Sequence, residues 1–429
     1  MRRFEGLTPD AESWLLQRGP TEDAKVLEVA QKIIADVRSR GMASLIDNAQ
    51  RYDASNLTWL GVSDEEWAMG DLLSKKEKAA LELAASRIRD FHTRQLNAFT
   101  HGLTERRGGY EWDHVSEDRS LVGQRWTPLQ SVGVYVPGGK ACYPSSVLMN
   151  VIPAQVAGVQ RVVVATPARS DGALHPAVVF CLKLCCITDI IKVGGAAAVA
   201  GLAYVSGVDK IVGPGNSYVN AAKRLVWGHV GVDGFAGPSE VCVIADDSAH
   251  VHHVAVDFLT QIEHAGDNAG FIIAMGAETA DRIQAEVDKL IDEAPRGGVM
   301  REAVAQSALF VARDQEEAIR LCNLIAPEHL ALAVVQPEGW VPRIRNAGCI
   351  MLGTYTPESA GDYVVGPSHT LPTSRAARFG SPLSVLDFMK VQSLQMLSEP
   401  GLNGLADAIE LIGHLEGLPM HSYGGRSRQ

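Results

Sequence analysis

The pentapeptide Ala326-Pro327-Glu328-His329-Leu330 sets a carboxylate beside an imidazole directly after a proline. A base and an acid held together are what proton transfer at neutral pH requires. Proline has a fixed φ and no N–H, so it favours the first position of a helix. The spacing therefore predicts Glu328 and His329 in a helical first turn. The positive end of the helix dipole there would keep the imidazole neutral and able to accept a proton. Taken alone, the pair is more simply a capped helix start with two solvated side chains. Other parts of the chain shift that balance.

Glycine-bearing turns are the second chemical feature. Pro137-Gly138-Gly139, Gly194-Gly195 and Gly213-Pro214-Gly215-Asn216 each close a segment that reads as a strand. Open α/β sheets bind ligands at the carboxyl ends of strands, where glycine lets the backbone approach closely. None of the three turns is G-x-G-x-x-G, and no acidic residue stands at the offset expected for a ribose, so tight packing turns explain each one singly. His250, His252 and His253 look metal-like as a cluster but fit a solvated helix start. The seven cysteines (Cys142, Cys181, Cys185, Cys186, Cys242, Cys322, Cys349) are odd in number and lack C-x-x-C spacing. They read as buried free thiols of a reducing compartment, not as disulfides or a cysteine metal site.

The elements that must position these residues alternate. Helical periodicity runs over 24–39 and 74–97, followed by polar short strands or loops at 100–131. Strands are expected at 132–136, 161–166, 189–193 and 209–213, with helices at 145–159, 175–186, 195–204 and 216–228 between and after them. After Ala236-Gly237-Pro238 the alternation resumes, with strands at 241–245, 270–275 and 307–311 and helices at 249–264, 277–292 and 314–325. Repeated strand–helix units of this length mean parallel sheets covered by helices. The fold class expected is α/β, with two Rossmann-like parallel-sheet lobes and helical N-terminal and C-terminal segments. The divisions expected are 1–24, an N-terminal helical segment; 25–131 with 239–383, the lobe bearing the acid–base residues; 132–238, the lobe with the nucleotide edge; and 384–429, mainly helical.

Composition bounds the partners. The chain has 429 residues, 46% hydrophobic and 21% charged, with a net charge of −11. That excess of negative charge argues against nucleic acid and anionic membranes. The longest charge-free apolar run, Val193 to Val208, is too short to span a bilayer. The residues behind Arg2-Arg3 lack the apolar core of a secretory signal, so the expectation is a cytoplasmic protein.

Several of these segments together resemble the histidinol dehydrogenase family. They are Val132–Gly139 with Pro144–Asn150, Asp209–Asn216, Ala236–Val241, Gln261-Ile262-Glu263-His264, Ala326–Leu330, Gly361-Asp362-Tyr363 leading to Ser368–Thr373, and Glu416–His421. Their order and spacing match from about residue 25 to the end of the chain. The resemblance implies oxidation of L-histidinol to L-histidine in two NAD-linked steps, through an enzyme-held aldehyde, on a zinc-containing homodimer. It implies zinc ligation by Gln261, His264, Asp362 and His421, with Mn²⁺ or Co²⁺ as substitutes. Gln261 and His264 are three apart on an expected helix and so face one way, although a helix-borne His264 beside Glu263 is more often a surface pair. Glu328 and His329 become the catalytic pair, His329 taking the alcohol proton and Glu328 activating water. Ser239, His369 and Glu416 correspond to substrate contacts, with Gln261, His264, His329, Asp362 and His421 also facing the substrate. Glu416 and His421 would serve the partner subunit's site. Tyr135 and Asn216 match nucleotide-contacting positions.

Three departures stand out. The family's Gly-Gly-Ala-Gln reads Gly194-Gly195-Ala196-Ala197, so an amide donor is missing at Ala197. The connection from Ala203 to Val208 is short, and Ser374-Arg375 stands where two glycines are typical. One lost hydrogen bond weakens binding by about 1–2 kcal/mol, or about tenfold. Two other readings stay compatible with the sequence: a relative that oxidises another small polar amino or sulfonated alcohol, and a non-catalytic zinc-binding relative.

Overall fold

The structure, a computed structural model, describes residues 1–18, 23–54, 56–106, 108–138, 142–235, 237–263 and 265–429. The chain divides into two compact units, residues 1–94 with 130–388, and residues 95–129 with 389–429. The strands are, in order, β1 (Arg2–Phe4), β2 (Thr104–Arg106), β3 (Gly109–Val115), β4 (Leu121–Pro128), β5 (Ser131–Tyr135), β6 (Arg161–Ala165), β7 (Ile190–Ile191) and β8 (Lys210–Val212). They continue as β9 (Gly231–Val232), β10 (Glu240–Ala245), β11 (Ala269–Met275), β12 (Ala308–Ala312), β13 (His329–Ala333), β14 (Cys349–Leu352) and β15 (Met389–Met396).

The first unit holds two parallel sheets. One has the order β7-β6-β5-β8-β9 and the other β1-β12-β11-β10-β13-β14. The central strands are Val/Ile-rich and buried on both faces (RVVVA in β6, EVCVIA in β10), which is what parallel pairing under helices demands. Both sheets follow one winding rule. The chain lays three strands outward, then crosses back so that β8 pairs with β5 and β13 pairs with β10. Each sheet therefore has a switch point, between β5 and β8 or between β10 and β13, where a crevice opens at the carboxyl ends of the strands. At the second of these, Asp246 bridges the gap. Its Oδ2 accepts from the Val335 N–H at 2.8 Å and its Oδ1 from the Ser248 N–H at 3.0 Å.

Each sheet is covered on its apolar faces. The helices Ala24–Arg40 and Met42–Tyr52, read from sequence with residues 239–383, bury Ala30, Ile34, Val37 and Leu45 against the core of the β5–β9 sheet. Val254, Phe258, Ile283 and Val287 pack on one face of the second sheet, and Leu15, Ile319, Leu321 and Ile325 on the other. The short connection 203–208 is closed by a π turn, Gly201–Val205, with the Ser206 N–H donating to Gly201 O at 2.8 Å. Such a wide turn ends a helix with one residue more per loop of backbone.

The second unit contains the antiparallel sheet β15-β4-β3-β2 and the helices Glu399–Leu415 and Pro419–Arg426. The stretch from Ser384 is therefore not helical throughout. Met389–Met396 is a strand paired along its whole length with β4.

Candidate active site

Glu328 and His329 do not begin a helix. The helix Gln315–Ile325 ends at Ala326, which adopts φ +48, and His329 opens β13 between β10 and β14. The residue before a proline is turned away from the right-handed helical region, so Pro327 stops a helix here instead of starting one. The electrostatic consequence reverses as well. The pair lies just past a helix carboxyl end, whose field favours a cation. Both side chains are buried, Glu328 6% and His329 4% exposed.

The pair is held from several elements. Glu328 Oε2 accepts from the Glu240 N–H at 2.9 Å, at the start of β10, and from Gln261 Nε2 at 3.2 Å. Glu328 Oε2 lies 4.0 Å from His329 Nδ1, and Asp362 Oδ1 lies 3.6 Å from His329 Nε2. The imidazole is thus bracketed by two carboxylates. Burial pushes the Glu328 carboxyl up to about 7, against the pull of neighbouring His329. Burial alone would lower His329, but its bond to Asp362 and the charges of Glu328 and Glu358 outweigh that and raise it to about 9. At neutral pH the imidazole of the free protein holds its proton, the opposite of the sequence expectation.

Gln261 is the penultimate residue of the helix Val251–Ile262 and is 2% exposed. Its bond to Glu328 uses the amide nitrogen, whereas the amide oxygen is the atom of that group able to ligate a metal. Asn268 fixes the surroundings. Its Nδ2 donates to Gln261 O at 3.0 Å and its Oδ1 accepts from the Ser239 N–H at 3.2 Å. Ser239 thereby sits beside Glu240 at the amino edge of β10. His369 is tied in from the other direction. Its Nδ1 donates to Asp362 O at 3.0 Å, which leaves Nε2 of the neutral ring to accept from Ser146 Oγ at 3.3 Å. Contacts thus run from Ser146, in the helix Pro144–Ala157, through His369 to the Asp362 carbonyl, while the Asp362 carboxylate faces His329 at 3.6 Å.

Several participants carried no sequence signal. Glu358 stands four residues before Asp362 in the helix Glu358–Tyr363, so both face one way. It is fully buried, neither carboxylate oxygen has a hydrogen-bond partner among the described residues, and burial raises it well above the usual carboxylate range. Glu240 is buried too, paired with Arg18, which stacks over Phe271 at 4.0 Å. The spacing Glu358-x-x-x-Asp362 could have flagged the first; nothing local flags Glu240, Asn268 or Arg18.

On the other sheet, Tyr135 ends β5 and Asn216 caps the helix Ser217–Val226, on the two sides of the β5/β8 switch point. Asn216 Oδ1 accepts from the N–H groups of Tyr218 and Val219, both at 3.1 Å, so its amide nitrogen is the part left for a ligand. A buried ion pair braces this turn. Lys223 Nζ reaches Gly213 O and Asp233 Oδ1, each at 2.6 Å, while the Gly213 N–H donates to Asp233 Oδ2 at 2.8 Å. Gly213 has φ +116, and a Cβ there would collide with the Tyr135 carbonyl oxygen. Ala197 is 3% exposed inside the apolar core, so its side chain offers this edge nothing.

His264 lies outside the described residues. Glu416 and His421 belong to the second unit, where both are exposed. Among the described residues no three His, Cys, Asp or Glu side chains form a metal-binding group. His250, His252 and His253 are exposed around the start of the helix Val251–Ile262, with His252 Nδ1 2.8 Å from Glu286. All seven cysteines are free thiols. Among the described residues no helix is long and apolar enough to cross a membrane.

A family model described as histidinol dehydrogenase matches residues 16–429. The chain is 44% identical over 422 residues to the histidinol dehydrogenase of Geobacter metallireducens, covering 96% of this chain and 93% of that one. It is 42% identical over 418 residues to that of Burkholderia lata, covering 95% and 93%. The crystal structure of histidinol dehydrogenase from Elizabethkingia anophelis matches with a TM-score of 0.91 at 32% identity, covering 100% of this chain and 98% of that one. A buried acid–base pair on one sheet, a glycine-turned switch point on the other and these full-length matches lead to one assignment: the chain belongs to the histidinol dehydrogenase family of NAD-dependent oxidoreductases.

Proposed function

We propose that this protein oxidises L-histidinol to L-histidine in two NAD-linked hydride transfers, as a zinc-holding cytoplasmic homodimer. The observation that carries the reading is the buried Glu328–His329 pair with Gln261 touching one member and Asp362 the other. One alcohol, two NAD⁺ and one water give one carboxylate, two NADH and three protons. The protein must therefore take a proton from an alcohol and later aim a water at an aldehyde. His329, bracketed between Asp362 and Glu328, takes the first proton when its ring is neutral, so the first oxidation should quicken as pH rises towards about 9. Glu328, lifted to about 7, is balanced between carboxyl and carboxylate at neutral pH and so accepts a proton from water. Ser239 and His369 flank the pair and orient the substrate's polar groups.

The residues fit a metal cation. Glu240, Glu328 and Glu358 are buried acids close to one another and to Asp362, and Arg18 and His329 offset only part of their charge. Gln261 and Asp362 would hold zinc together with His264 and the partner subunit's His421. When bound, zinc supplies the positive charge that anchors the substrate's amine and imidazole nitrogens. Tyr135 and Asn216 would hold NAD, which would supply the hydride acceptor. The dimer is supported by an apolar face on the second unit, where Leu411, Leu415, Met420 and Tyr423 are 63%, 87%, 74% and 62% exposed.

Purified protein loaded with zinc and given L-histidinol and NAD should form two NADH per histidine. Absence of NADH rejects the reading. Faster turnover of another small amino or sulfonated alcohol in the same assay transfers the assignment to that substrate.

A further inference from the structure

In doubly wound sheets the acid that binds the coenzyme ribose commonly ends the second strand of the lobe. Here that strand is β6, and Thr166-Pro167-Ala168 follows it, with no acid. A carboxylate nevertheless reaches this edge from outside the sheet. Asp53 ends the helix Met42–Tyr52, and its Oδ2 accepts from the Gly194 N–H at 2.9 Å. The contact is tight, since a Cβ at Gly194 would lie 3.0 Å from both Asp53 Oδ1 and Pro167 Cβ. The next residue, Gly195, has φ +62 and open space where a side chain would stand, and its N–H donates to the Tyr135 hydroxyl at 3.3 Å. Asp53 Oδ1 has no hydrogen-bond partner among the described residues. One oxygen therefore fixes the turn while the other remains available beside Tyr135. Burial raises this carboxyl to about 6, so at neutral pH it is mostly ionised and an acceptor.

We infer that Asp53 Oδ1 accepts a hydrogen bond from a ribose hydroxyl of the dinucleotide and makes the site selective against a 2′-phosphorylated coenzyme. The inference deepens the proposed function, since it rests on the nucleotide occupying the β5/β8 edge. It also accounts for coenzyme binding without the amide missing at Ala197. A carboxylate at this point both gains a charge-assisted bond to a diol and repels a phosphate.

The test is Asp53→Asn, which keeps an oxygen for the Gly194 N–H and removes the charge. Its KM for NAD should rise about tenfold. The ratio of kcat/KM for NAD over NADP should fall by about tenfold or more, with the KM for histidinol unchanged. An unchanged NAD KM and an unchanged NAD/NADP ratio would overturn the assignment. A purely structural role would lower activity with both coenzymes alike and leave that ratio in place, which also overturns it. Should the variant fail to fold, calorimetry on the native protein decides. ADP-ribose should bind at least about tenfold more tightly than its 2′-phosphate, and equal affinities defeat the inference. That titration needs no turnover, so it gives its answer even if histidinol yields no NADH.

Discussion

His329 takes its character from three carboxylates and from burial, and those opposing influences make it the most sensitive single position in the chain. His329→Asn should lower kcat by about 10²–10⁴-fold, the usual share of general acid–base catalysis, while leaving the unfolding midpoint close to native. Glu328→Gln should separate the two oxidations. NADH per histidinol should fall from two towards one, with the aldehyde recoverable by a carbonyl-trapping reagent in rapid-quench assays. Ser374 offers a gain instead. It sits at φ +53 and its neighbour Arg375 at φ +65, the left-handed region that suits glycine. Ser374→Gly should stabilise the protein by about 1 kcal/mol in a urea titration. The residues proposed for the chemistry could be named from the sequence, but their setting could not. Pro327 serves equally as a helix starter and a helix stopper, and only the pairing of Leu330–Ala333 between β10 and β14 decides between them. Glu358 and Glu240 were illegible because a carboxylate's burial is set by remote packing, not by its neighbours in sequence.

At the scale of elements, two carboxylates act as fasteners. Glu317, on the helix Gln315–Ile325, has a side chain only 2% exposed. It accepts from the Leu7 N–H at 3.0 Å and from the Arg313 N–H at 2.9 Å, and it pairs with the Arg313 guanidinium. The guanidinium and these N–H groups hold its carboxyl down at about 2, against burial. Because the folded value lies below the ordinary 4.5, the stability Glu317 contributes is complete above that pH and is lost as pH falls through the window towards 2. Glu317→Gln should flatten the acid limb of the stability–pH curve in urea titrations run between pH 5 and 3. Asp233, paired with Lys223, is the second case. Lys223→Met strands Asp233 beneath the Gly213 turn and should cost about 3–5 kcal/mol of unfolding free energy while raising the KM for NAD. The strand–helix alternation of both parallel sheets was legible because buried parallel strands are nearly continuous apolar runs. β15 was not, because its sequence, MKVQSLQM, is polar and mostly exposed and becomes a strand only through its partner β4.

At the scale of the molecule, the exposed apolar side chains of the helices Glu399–Leu415 and Pro419–Arg426 give the dimer reading its test. Leu415→Glu with Met420→Glu should halve the mass seen by sedimentation equilibrium and abolish histidinol oxidation, since Glu416 and His421 would no longer reach a partner. A partner or a cation would be invisible to a single chain's sequence pattern, which records what each segment buries but not what a second copy would cover. Apart from β1 at the edge of the second, the two parallel sheets share one strand order, yet the proposed coenzyme edge uses the carboxyl rim of the first and the proposed acid–base pair the amino rim of the second. The carboxyl rim of the second sheet is stapled by Asp246 across to Val335. Re-engineering that rim to face a new ligand would therefore begin with a single side chain, since the loss of Asp246 frees the Val335 N–H.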